Sequence, residues 1–135
     1  MIGIVIAGYE DFPKSLIVSA QIALGPQKNI IAVPVTPTRA PEDIEGNRQL
    51  IFSAITKVDQ GTGVLVLTDA MPENAGMIAS SLVNEVTIEI VHGVNLPMLE
   101  YILRRREFTD LQTLSDEAQQ AGTKGIVITT NGPRS

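Results

Sequence analysis

A chain of 135 residues and 14.5 kDa is one domain's worth of protein, and 44% apolar against 19% charged residues lets it bury a real core, which excludes a disordered chain. Ten basic and fifteen acidic residues leave a net charge of −5, a poor electrostatic match for nucleic acid or anionic lipid. The lack of cysteine excludes disulfides, thiolate metal sites and cysteine nucleophiles, one histidine excludes a multi-histidine metal centre or relay, and five aromatic residues (Tyr9, Phe12, Phe52, Tyr101, Phe108) are too few for a base-stacking platform.

The chain opens on a continuous apolar run at residues 2–7, Ile-Gly-Ile-Val-Ile-Ala, which has to be covered on both faces and so predicts a central parallel strand. A polar turn follows from Gly8 to Pro13, and Pro13 suits the first turn of a helix whose apolar face is Leu16, Ile17, Ala20, Ala23 and Leu24. Gly25-Pro26 stops it. Residues 29–35 read as a second strand, placed at a sheet edge because Pro34 cannot donate to a ladder. After a Pro/Thr loop at 36–41, a helix opens on Pro41-Glu42-Asp43, with acids at its positive end, and runs through Ile44, Ile51, Ala54 and Ile55 to about Val58, weakened by Gly46. Gly61-Thr62-Gly63 leads into a third strand at 64–68, with Asp69 just past its carboxyl end.

A helix is expected over 74–83 and a fourth strand over 86–91. The turn His92-Gly93-Val94-Asn95 precedes a helix from Leu96-Pro97 to Arg104-Arg105-Arg106, a basic run read as a solvated helix end at the negative pole of the dipole. Thr109 is the expected N-cap of a last helix marked by Leu111, Leu114, Ala118 and Ala121 and closed by Gly122. Residues 124–130 read as a fifth strand and 131–135 as a C-terminal tail, so 1–130 form a single domain. No run approaches the roughly 18 apolar residues that span a bilayer, and Met1 leads straight into the first strand with no basic leader. A cytoplasmic protein with no membrane insertion is the expectation.

Strand–helix alternation of this kind predicts an α/β doubly wound sheet, with ligands bound beyond the carboxyl ends of the strands. The loops at 8–13, 36–41, 69–74 and 92–97 are therefore the candidate site. In a 2-1-3-4 sheet Gly8, Tyr9, Glu10 and Asp11 face Asp69 and Glu73. Those acids read either as solvated loop residues or as a rim able to hold Mg²⁺ or to raise one carboxylate pKa. His92 reads either as a structural residue at a strand end or as the one side chain in the chain able to become a phosphohistidine. No glycine-rich nucleotide fingerprint is present, and Ser15 and Ser19 lie in a helix without a base, which leaves serine-hydrolase chemistry unsupported. No resident cofactor or metal is expected.

Three stretches resemble one family. The opening MIGIVIAG followed by KSLIVSAQIALGPQKNI, the block GTGVLVLTDAMPENA and the block HGVNLPMLEYIL are similar to the IIA component of the mannose-type sugar phosphotransferase system (PTS), a domain shared with the phosphocarrier subunit of dihydroxyacetone kinases. The resemblance covers nearly the whole chain, and Gly93 through Leu99 is its most specific part. It implies parallel strands in the order 2-1-3-4 and a C-terminal strand that runs antiparallel and is exchanged in a homodimer. It also implies phosphoryl relay. A histidine in a T-H-G or S-H-G turn after the first strand takes a phosphoryl group from the phosphocarrier protein HPr and passes it to a IIB component.

This chain departs from that pattern at the turn itself. Tyr9 stands where the resemblance places the histidine, and Glu10 where it places the glycine. Met71-Pro72-Glu73-Asn74 replaces a G-G-S-P loop, while Asp69 keeps the family's aspartate. A phenol, which titrates near about 10, cannot replace imidazole as a fast reversible carrier at neutral pH, and Glu10, Asp11 and Glu73 would repel a phosphoryl group. A homodimeric regulatory or binding variant within sugar uptake is the first expectation, with PTS proteins or a regulatory protein as partners and with Gly8, Met71, Asn74, Gly93 and Asn95 lining its site. The alternatives are a phosphocarrier that uses His92 and an acid-pocket module like response-regulator receivers, with Lys124 as its nearest lysine. A Tyr9–Asp69 hydrogen bond and a His92 pKa raised by Asp69 are expected as well.

Overall fold

The structure, a computed structural model, describes residues 1–132. Four strands form one parallel sheet in the order β2-β1-β3-β4: β1 (Gly3–Tyr9), β2 (Ile30–Val35), β3 (Val64–Thr68) and β4 (Ile88–His92). Five helices connect or flank them: α1 (Phe12–Leu24), α2 (Pro41–Val58), α3 (Asn74–Ser80), α4 (Leu96–Arg105) and α5 (Leu111–Lys124). Pro34 does lie on an edge strand, opposite Gly8 of β1.

The two-residue period of the strands divides the core. Val5, Ala7, Val33, Val35, Val64, Val66 and Ile88 pack with Ile51, Ile55, Ile78 and Leu82, residues of α2, α3 and the turn after α3. Ile2, Ile4, Ile6, Leu65 and Leu67 pack on the other face with Ala20, Leu99, Ile102 and Leu114 of α1, α4 and α5. Each fully buried Ile or Leu contributes about 1.5–3 kcal/mol, so the uninterrupted apolar runs of β1 and β3 fix the sheet's centre.

Local chemistry sets the helix ends. Asp43 accepts from the backbone N–H of Ala40 at 3.0 Å and of Arg39 at 2.9 Å, which pins the start of α2. Asn95 caps α4 by accepting from Met98 N–H at 3.0 Å and donates to the carbonyl of Gly122 at 2.9 Å, which ties α4 to α5. Among the described residues no helix is long and apolar enough to cross a membrane.

Several expectations are corrected. The cap of α5 is Asp110, whose carboxylate accepts from Thr113 N–H at 2.8 Å, and not Thr109. Gly122 does not close that helix. It is buried inside it, where a Cβ would lie 2.7 Å from Cε of Met98, so α5 runs on to Lys124. The third helix ends at Ser80 rather than 83 and the fourth strand begins at Ile88 rather than 86, with turns between.

Arg106 is not part of a solvated end either: it is 2% exposed. It donates to the carbonyls of Asn29 at 3.0 Å, Ile2 at 3.4 Å and Lys28, and to the Gln27 side chain, fastening α4 to the entrances of β1 and β2. Residues 126–130 form no strand within one chain. Ile126, Val127 and Ile128 are 67–77% exposed. Of the expected tail, 131 and 132 are exposed and 133–135 lie outside the described residues.

Candidate functional site

Parallel register carries the ends of three strands to one level. Ala7 pairs with Thr68, and Thr68 with His92. One residue further on, the loops after β1 and β3 adjoin: a Cβ on Gly8 would sit 3.5 Å from Asp69 Oδ2 and 3.0 Å from the Phe12 ring. The expected neighbourhood of Gly8 and Asp69 is therefore present. The expected Tyr9–Asp69 hydrogen bond is not formed among the described residues. Tyr9 lies one position beyond Gly8, and a shift of one residue reverses the sheet face. Its ring packs with the α2/α3 core instead, and it borders a shallow groove with Glu10, Asp11, Phe12 and Pro37. Asp69 Oδ1 accepts from the N–H of Ala70 at 2.8 Å.

Glu10 turns the corner with a φ of 48°, in the left-handed region that favours glycine. Asp11 precedes α1 without capping it through its side chain, and both acids are exposed. Among the described residues no group of three or more acidic or histidine side chains could hold a metal ion. Of the two readings of these acids, the Mg²⁺-binding rim of Glu10, Asp11 and Asp69 is therefore the one the structure speaks against, and Glu10 and Asp11 are solvated loop acids. The receiver-like alternative loses its lysine too, because Lys124 belongs to α5.

The loop after Asp69 is held from below. Gly76 of α3 packs so closely that a Cβ there would lie 2.3 Å from the carbonyl oxygen of Ala70 and 2.6 Å from that of Met71. Only hydrogen at this position lets the helix start against the loop. Met71 and Glu73 remain exposed, and Asn74 opens α3 half-buried.

Thr68, which was not singled out as a site residue, organises the other half. Its carbonyl accepts from Gly93 N–H and Val94 N–H, both at 3.0 Å, and Gly93 takes a φ of 83° to make that turn. Its fully buried hydroxyl lies 2.7 Å from Nδ1 of His92. Nε2 of His92 lies 3.4 Å from Oγ of Ser80. The Ser80 hydroxyl donates to the carbonyl of Gly76 at 2.8 Å, so its oxygen is left to accept. The network thus assigns the proton to Nε2, which donates to Ser80, and leaves Nδ1 to accept from Thr68.

Burial pushes the His92 pKa below 6.5, and the nearby Asp69 carboxylate only partly opposes it. The expected rise is corrected: the carboxylate acts as foreseen, but loss of water outweighs it. The signal for Thr68 was available in the alternation, since Thr68 continues the face of Val64 and Val66 and lies level with His92. Ser80 carried no comparable signal, because its contact depends on where α3 crosses.

Beside β4 runs a groove of about 640 Å³ whose lining includes Met71, His92, Asn95, Met98, Asp116 and Ile126. Asn95 has both side-chain functions committed to α4 and α5, which makes it structural here.

Residues 3–119 match the family described as the PTS system fructose IIA component. The chain is 32% identical over 117 residues to the PTS system fructose-specific EIIA component of Bacillus subtilis (strain 168), covering 84% of this chain and 77% of that protein. It is 30% identical over 130 residues to the PTS system mannose-specific EIIAB component of Escherichia coli (strain K12), covering 93% of this chain but 39% of that longer protein. Among solved structures, phosphotransferase system component EIIA from Streptococcus agalactiae superposes with a TM-score of 0.82 at 24% identity, covering 95% of this chain and 97% of that one. That last likeness is one of fold.

Proposed function

The chain belongs to the mannose-type IIA family of the sugar phosphotransferase system, and from that premise we propose that it is a IIA component carrying no phosphoryl group at the turn after β1 and serving as a regulatory or binding module of sugar uptake. The observation that carries this reading is the pair of side chains at the strand ends. Tyr9 stands in the position the family gives to its carrier histidine, and its ring is committed to the α2/α3 core rather than to Asp69. The one imidazole of the chain sits on β4 with Nδ1 held by Thr68 and Nε2 turned to Ser80. Neither arrangement presents a free imidazole nitrogen beside Asp69. Glu10 and Asp11 further disfavour an incoming phosphoryl group by like charge.

The proposal includes a cytoplasmic homodimer in which the 126–130 segment of each chain pairs with the other copy. The exposure of Ile126, Val127 and Ile128 supports it, as does the position of β4 as the last strand of the sheet. Its partners are proposed to be HPr, a IIB component or a regulatory protein, met through the end of the sheet that carries Gly8, Asp69 and Gly93.

The test is incubation with phosphoenolpyruvate, enzyme I and HPr, followed by intact mass. No gain of a phosphoryl group is expected, beside a histidine-bearing IIA protein that does gain one. A gain abolished by Tyr9→Phe overturns the proposal. A gain abolished by His92→Ala replaces it with a carrier that uses β4.

A further inference from the structure

We propose that His92 is an acid-operated latch: a proton taken up at Nδ1 breaks the tie to Thr68 and loosens the 92–95 turn and the end of β3 that leads into Asp69, while α3 stays attached through Ser80. Three elements meet on this one ring, β3 through Thr68, β4 through His92 itself and α3 through Ser80. In the neutral state every hydrogen has an acceptor. Thr68 donates to Nδ1, Nε2–H donates to Ser80, and Ser80 donates to Gly76.

Protonation at Nδ1 leaves two donors facing each other. The Thr68 hydroxyl then has to turn its hydrogen away, and among the described residues it has no second acceptor in the buried space it occupies. The strain falls on a residue whose carbonyl also holds Gly93 and Val94, so the side-chain event reaches the backbone of the turn directly.

The groups around the ring set its response. Asp69, beyond β3, favours the imidazolium. Glu89 on β4 itself and Asp116 on α5 line the same groove and are also acidic, while α3 contributes no titratable side chain from Asn74 to Ser80. No lysine or arginine lines that groove among the described residues. Asp69 keeps the cation within reach of mild acid, and burial together with the Thr68 donor keeps the ring neutral above it. The Nε2–H bond to Ser80 survives in both states, so the device loosens without unfolding.

This inference does not depend on whether Tyr9 carries phosphate, and it is read by other means. In ¹⁵N-labelled protein the ring nitrogens of His92 and the amide protection of Gly93 and Val94 are followed from about pH 8 to about pH 5. The expected result is a bare Nδ1 and a protonated Nε2 in the neutral state, a midpoint below 6.5, and protection of both amides falling several-fold with that same midpoint. Thr68→Val should move the midpoint upward, and His92→Gln should make the amide protection independent of pH. A proton on Nδ1 in the neutral ring overturns the proposal. So does a midpoint at or above 6.5, or a pH-dependent loosening that persists in His92→Gln.

Discussion

Glu10 occupies a left-handed backbone position at the corner where β1 hands over to α1. A side chain there brings Cβ close to the following carbonyl, and the position is held because the sheet fixes one end of the turn and α1 the other. Glu10→Gly should therefore stabilise the protein by about 1 kcal/mol, the steric relief outweighing the added freedom of the unfolded chain. An upward shift of the urea midpoint at constant slope is the expected reading, and a downward shift would show that the carboxylate contributes more than the corner costs.

His92 gives a prediction of the opposite kind, on pH. Its folded pKa lies below its unfolded value of about 6.5, so the native state binds fewer protons. The ring's contribution is thus fully present above about pH 6.5 and disappears as the pH falls through the folded pKa. The difference in unfolding free energy between the native sequence and His92→Gln should shrink from pH 7.5 towards about pH 5. A difference that grows on acidification would place the folded pKa above the unfolded one and contradict the burial-driven shift.

At the scale of elements, two close attachments decide which helices sit where. Arg106 brings a fork of donors to three backbone carbonyls at the entrance of β1 and β2, and burial lowers its pKa, with no acid bonded to it among the described residues. Arg106→Met should cost roughly 3 kcal/mol, since those carbonyls lose charge-assisted bonds in a dry place. Arg106→Lys should recover little, because a single ammonium cannot span the same acceptors. Equal stability of the lysine variant and the native chain would argue against this role. Gly76→Ala should cost about 2 kcal/mol or more by driving a methyl group into the carbonyls of Ala70 and Met71. Its crystal structure should show α3 or the 70–71 loop displaced.

These two residues also mark where the sequence stops being readable. The strands and most helices follow from apolar period and from Pro13, Pro34 and Pro41, which act on their own neighbours. Arg106 looked like a solvated helix end because its acceptors, Ile2, Lys28 and Asn29, are distant in sequence. Gly122 looked like a helix stop, whereas it lies inside α5 against the Met98 side chain of another element. At the site, Gly8 beside Asp69 was legible from strand order alone. The separation of Tyr9 from Asp69 was not read, although it turns on a single step of register.

For the whole molecule, the exposed apolar residues after α5 are the ones the proposed dimer would cover. Truncation after Gly125 keeps α5 entire and removes Ile126, Val127 and Ile128. The shortened chain should sediment as a monomer, and its melting temperature should no longer rise with protein concentration, whereas that of the full chain should. A full-length chain that is monomeric at every concentration would remove the exchanged strand from the proposal.

The two flanks of the sheet then differ in what they permit. β2 carries Pro34, which offers no N–H to a newcomer, while β4 has no such block in its five residues. Association through β4 around a twofold axis uses up the open flank of both copies and leaves only the proline-bearing ones facing outward. In the proposed dimer growth terminates at two, and a parallel sheet with an apolar trailing segment is spared the endless stacking that produces fibres.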